Sequence, residues 1–130
     1  MTETVLDASA VLAFLQEEPG QEVVAEVLAA GRAIICAVNL SDVAAKLVDG
    51  GMVPALAEEA LRALDLDVRP LDESLALECA WLREPTRAAG LSLGDRACLA
   101  LGKRLSCPVL TTDRSWSEVT VGVMVQFARP

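Results

Sequence analysis

Short apolar runs and helix-length stretches alternate along this chain, and that alternation restricts its fold more than any other feature. The runs are Thr4-Val5-Leu6-Asp7, Ala33 to Val38, Asp67 to Leu71, Pro108-Val109-Leu110-Thr111 and Val123-Met124-Val125. Between them lie stretches that read as helices: Ala8 to Gln16, Gln21 to Ala30, Val43 to Val48, Pro54 to Leu64, Asp72 to Leu82 and Ser92 to Leu105. Strands separated by helices build βα units and a parallel sheet. The expected fold is α/β, a three-layer α/β/α sandwich with a central, mainly parallel sheet, formed by residues 1–130 as a single domain. Punctuating residues mark the joints. Glu17-Glu18-Pro19-Gly20 breaks the first helix, Gly31 closes the second, and Pro54 suits a first helical turn. Pro70 puts its run at a sheet edge or strand end, and Pro85 ends or kinks a helix before a second segment reaches Ala89-Gly90.

The apolar fraction, 53%, is mostly aliphatic, with two Phe, two Trp and no Tyr. That suits helices packed on a buried parallel sheet. No apolar stretch reaches the roughly 18 residues of a membrane span, and no basic-then-apolar leader stands at the N-terminus. The expectation is a soluble cytoplasmic protein. Cys36, Cys79, Cys98 and Cys107 match no zinc spacing and sit among apolar residues, so they read as buried thiols in a reducing compartment.

The chain has no histidine. That removes Ser-His-Asp and Cys-His devices and the usual zinc sites, leaving carboxylates and a hard cation as the tools of any catalysis. A net charge of −8 argues against a nonspecific nucleic-acid coat. A local basic patch is still compatible, since six of the eleven basic residues fall between Arg83 and Arg114.

Four acids stand at element ends. Asp7 and Asp113 follow expected strands; Asp42 and Asp95 fall in the first turns of expected helices. In a parallel sheet all four can meet at the carboxyl edge, where ligands bind. Carboxylates sharing a crevice repel and raise each other's pKa. A divalent cation relieves that repulsion, and all-oxygen ligands select Mg²⁺ or Mn²⁺. Such a centre suits phosphodiester hydrolysis without a covalent intermediate. Each acid also has a structural reading. Asp7 can cap the first helix, Asn39-Leu40-Ser41-Asp42 and Ser92-Leu93-Gly94-Asp95 resemble capping boxes, and Asp113 can hold an Asx turn.

Three stretches together resemble the PIN domain, specifically the ribonuclease toxins of VapBC toxin–antitoxin systems. They are Val5-Leu6-Asp7-Ala8-Ser9-Ala10, Leu93-Gly94-Asp95-Arg96-Ala97-Cys98-Leu99-Ala100-Leu101 and Val109-Leu110-Thr111-Thr112-Asp113-Arg114-Ser115-Trp116. Their order and spacing extend the resemblance over the whole chain. It implies a metal-dependent endoribonuclease, using Mg²⁺ or Mn²⁺, with Asp7, Asp95 and Asp113 as metal-site acids and Asp42 where the family usually has Glu. It implies that Ser9 and Thr111 line or support the site. It also implies a homodimer, an RNA substrate and a small antitoxin that blocks the cleft. Ser115 stands where many relatives carry another acid, and Trp116 replaces a common Phe.

Arg96 and Arg114 adjoin site acids and are candidates either for RNA phosphate contacts or for pairing with surface acids. Lys46 lies one turn beyond Asp42, within pairing reach. The alternative to the enzyme is a catalytically weak or inactive PIN-like module that binds RNA or antitoxin. A receiver domain would want a second acid at Ala8, and a haloacid-dehalogenase-like phosphatase would want one at Ser9.

Overall fold

In a computed structural model that describes residues 3–130, five strands form one all-parallel sheet in the order β3-β2-β1-β4-β5. The strands are β1 (Thr4–Leu6), β2 (Ala33–Cys36), β3 (Asp67–Arg69), β4 (Val109–Thr111) and β5 (Val125–Phe127). Register is set by Val5, which lies opposite both Ile34 and Val109. Seven α-helices accompany them: α1 (Ala8–Leu15), α2 (Gln21–Ala29), α3 (Ala37–Asp49), α4 (Pro54–Arg62), α5 (Glu73–Trp81), α6 (Arg83–Thr86) and α7 (Leu93–Leu105). Two 3-10 turns, Arg87–Ala89 and Arg114–Glu118, complete the chain.

Alternation along each central strand divides the core into two. Val5, Ile34, Cys36 and Val109 point to one face, where Leu75 and Cys79 of α5, Ala97 to Leu101 of α7, and Trp116 cover them. Leu6, Ile35 and Leu110 point to the other, under Val11, Val24, Val43, Leu47, Ala57 and Leu61 of α1 to α4. Unbroken burial along β1, β2 and β4 is thus the mark of strands covered on both sides. Full burial of each such aliphatic side chain contributes about 1.5–3 kcal/mol.

Boundaries shift in three places. The second run leaves the sheet early, because α3 begins at Ala37 with Cys36 as its extended N-cap (φ −76°, ψ 142°). Asn39-Leu40-Ser41-Asp42 is therefore inside α3 and forms no capping box. The final strand pairs at Val125–Phe127, two residues later than the apolar run suggests; Val109 N–H donates to the Met124 carbonyl to fix it. Beyond Leu82 the chain takes one short helix containing Pro85, then a 3-10 turn ending at Gly90 (φ +67°).

β3, one open edge, is short and polar. Asp67 and Arg69 form an ion pair at 2.9 Å, and Pro70 follows. Cys36, Cys79 and Cys98 are buried, whereas Cys107 is half-buried, a departure from the uniform burial expected. Val24 alone of its apolar helix face is fully buried, and Val23 stays exposed. No helix among the described residues is long and apolar enough to cross a membrane.

Candidate active site

The chain moves from β1 to β2 and β3 on one side, then crosses to β4 on the other, so a topological switch point lies between the ends of β1 and β4. Asp7 stands there, one residue past β1, and is 3% exposed. Its Oδ1 accepts from the Ala10 N–H at 2.9 Å, capping α1, and from Ser9 Oγ at 2.7 Å. Its Oδ2 accepts from Thr111 Oγ1 at 2.6 Å. Cap and candidate ligand are thus one residue.

Ser9 and Thr111 stitch the two strand ends together. Ser9 Oγ accepts from the Thr112 N–H at 3.0 Å and lies 3.2 Å from Thr111 Oγ1, which accepts from the Asp113 N–H at 3.0 Å. The hydroxyls thereby tie Asp7 to the backbone that carries Asp113. Asp113 Oδ1 accepts from the Ser115 N–H at 2.9 Å, capping the second 3-10 turn.

Asp95 arrives from the opposite direction, because α7 runs back along β4 and presents its N-terminus at the same edge. Ser92 and Asp95 close the capping box: Ser92 Oγ accepts from the Asp95 N–H at 3.2 Å, and Asp95 Oδ2 accepts from the Ser92 N–H at 2.9 Å. Asp42 lies in the second turn of α3, exposed, against α7. A methyl group on Gly94 would stand 2.6 Å from its Oδ2. Asn39, one turn earlier, donates from Nδ2 to the Gly94 carbonyl at 3.0 Å. The sequence marks Asn39 only as a possible cap; its burial next to an acid-bearing turn comes from the contact of α3 with α7.

Burial pushes the Asp7 carboxyl up to about 6. Hydrogen bonds from Thr111, Ser9 and Ala10 oppose the rise, and the Asp95 charge adds to it. A buried carboxylate facing a second acid lacks a counter-charge, which a cation would provide. As placed, no three acids or thiols among the described residues stand close enough to hold one ion together. The donor chemistry nevertheless fits a hard cation. It is all oxygen, and Asp95 and Asp113 each keep one carboxylate oxygen free of protein partners among the described residues.

The two arginines part company. Arg96 is 9% exposed and donates from Nη1 to the Cys79 carbonyl at 3.1 Å, so its guanidinium braces α5 against α7 rather than facing a phosphate. Arg114 is exposed and stacks over the Phe127 ring, 4.0 Å from its centroid. Lys46 and Asp42 form no ion pair among the described residues. Trp116 is buried and offers no stacking surface.

Comparisons with known proteins agree with this architecture. Solved structures share the fold over nearly the full chain. A chain of the DNA-bound VapBC from Salmonella typhimurium superposes with a TM-score of 0.74 at 13% identity, covering 98% of this chain and 99% of that one. FitAcB from Neisseria gonorrhoeae gives 0.65 at 20% identity, covering 94% and 95%. VapBC-5 from Mycobacterium tuberculosis, a member of the VapBC family of toxin–antitoxin systems, gives 0.62 at 22% identity, covering 100% of both chains. No curated protein matches the sequence significantly. The PIN domain profile matches residues 4–122, so the chain belongs to the PIN domain family.

Proposed function

We propose that this protein is a metal-dependent endoribonuclease, the toxin of a toxin–antitoxin pair. The observation that carries the reading is Asp7, a buried carboxylate held at the topological switch point, its pKa raised by burial and by the Asp95 charge. Asp7, Asp95 and Asp113 would hold Mg²⁺ or Mn²⁺, with Asp42 at the rim. When bound, the cation neutralises charge on the scissile phosphate and promotes attack by water. Ser9 and Thr111 orient Asp7 through its two oxygens. Arg114, stacked on Phe127 beside Asp113, binds an RNA phosphate. Arg96 takes no part.

The partner reading rests on likeness of fold to chains of VapBC and FitAcB assemblies, with the family's homodimer and cytoplasmic setting proposed alongside it. The second reading, a PIN-like module that binds RNA or antitoxin without cleaving, is favoured by the spacing of the acids, which leaves no ready-made three-carboxylate cluster among the described residues. RNA cleavage by the purified chain with Mg²⁺, Mn²⁺ or EDTA separates the two, run beside Asp7→Asn and Asp95→Asn. The enzyme reading expects metal-dependent cleavage that falls by about 10²-fold or more in each variant. RNA binding without cleavage in either metal selects the module.

A further inference from the structure

We infer that Asn39 is a positioning residue of the metal site: with Gly94 it locks α3 onto the first turn of α7 and so fixes Asp42 against the turn that carries Asp95. The inference rests on the metal-centre reading above. Asn39 is 2% exposed, and its side-chain amide donates across 55 residues of sequence to the Gly94 carbonyl. Residues three apart share a helix face, so Asn39 and Asp42 both front α7. Gly94 makes that approach possible, since Asp42 Oδ2 and Asn39 Nδ2 lie 2.6 Å and 3.5 Å from where a side chain would begin. Asp95 follows directly.

A purely stabilising role explains Asn39 poorly. Its Oδ1 is buried with no partner among the described residues. A buried acceptor left unpaired costs at least what one neutral hydrogen bond returns. The amide cannot be turned to improve matters, because that would set Oδ1 against the Gly94 carbonyl. What Asn39 supplies across the seam is a fixed distance between two acid-bearing elements.

The test is Mn²⁺ affinity by calorimetry, with metal-free thermal midpoints measured alongside, for Asn39→Leu and Gly94→Ala. Leucine fills the site without the amide. Alanine improves helix propensity but forces the Asp42 carboxylate aside. Loss of such a supporting contact lowers metal affinity about 10- to 100-fold. We expect that loss in both variants, with midpoints at or above the wild-type value, and no further loss from Gly94→Ala in an Asp42→Ala background. Unchanged affinity in both, where Asp7→Asn and Asp95→Asn abolish binding, overturns the inference alone. So does a loss that only tracks a falling midpoint. A wild-type chain that takes up no Mn²⁺ overturns the metal-centre reading and this inference with it.

Discussion

Replacing Asp7 by Asn should make the metal-free protein more stable at neutral pH. The folded carboxyl titrates at about 6 against an ordinary 3.8. At roughly 1.4 kcal/mol per pH unit, holding Asp7 ionised in its buried position costs about 3 kcal/mol. The sign follows from the raised pKa. Its unfavourable contribution is absent below pH 3.8, grows as pH rises through about 6, and is constant above. Asparagine keeps the acceptor for the Ala10 and Ser9 donors, and its amide can donate to Thr111 Oγ1. The rise to about 6 already contains what those hydrogen bonds return to the charged form. A net stabilisation of about 3 kcal/mol corresponds to a midpoint rise of roughly 8–15 °C for a chain of this size. Thermal denaturation in EDTA at pH 7.5 measures it, and repeating the melt at pH 5 and pH 3.5 tests the cause. The advantage should fall to about half at pH 5 and vanish near pH 3.5. An equal effect at all three pH values, or destabilisation at pH 7.5, refutes the account of Asp7 as a desolvated charge.

Two further substitutions probe the surroundings. Thr111→Val keeps the volume but removes the hydroxyl that bonds Asp7 and the Asp113 N–H; the Asp7 pKa should rise further, read by carboxyl ¹³C NMR, with a stability loss of about 1–3 kcal/mol. Gly102→Ala puts a methyl 2.5 Å from Val109 Cγ1 and 3.1 Å from the Cys107 carbonyl; overpacking should cost about 1–3 kcal/mol despite the better helix former, seen as a lower thermal midpoint, the opposite sign to Gly94→Ala.

The layered fold was legible because three central strands carry apolar side chains on both faces, and no other arrangement covers both. Element ends were harder. Cys36 turns directly into α3, and nothing local distinguishes Ala37-Val38 from two more strand residues. Of the four acids, the sequence could place Asp7, Asp95 and Asp113 at caps, and each does cap. That Asp95 comes near enough to raise the Asp7 pKa depends on strand order and on the course of α7. Arg96 shows the limit of adjacency: next to Asp95 in the chain, it points into the α5–α7 junction. The Asn39–Gly94 contact joins residues 55 positions apart, beyond the reach of any local pattern.

The short, ion-paired β3 edge has a bearing on how copies of this protein can meet. A flat, unguarded outer strand invites another chain to extend the sheet. Here three residues, their Asp67–Arg69 pair and Pro70 leave too little backbone for such an addition. β5 on the opposite margin is equally short, with Gln126 exposed. Both margins of the sheet are thus poor templates for another strand, and the ladder of the central sheet ends within each molecule.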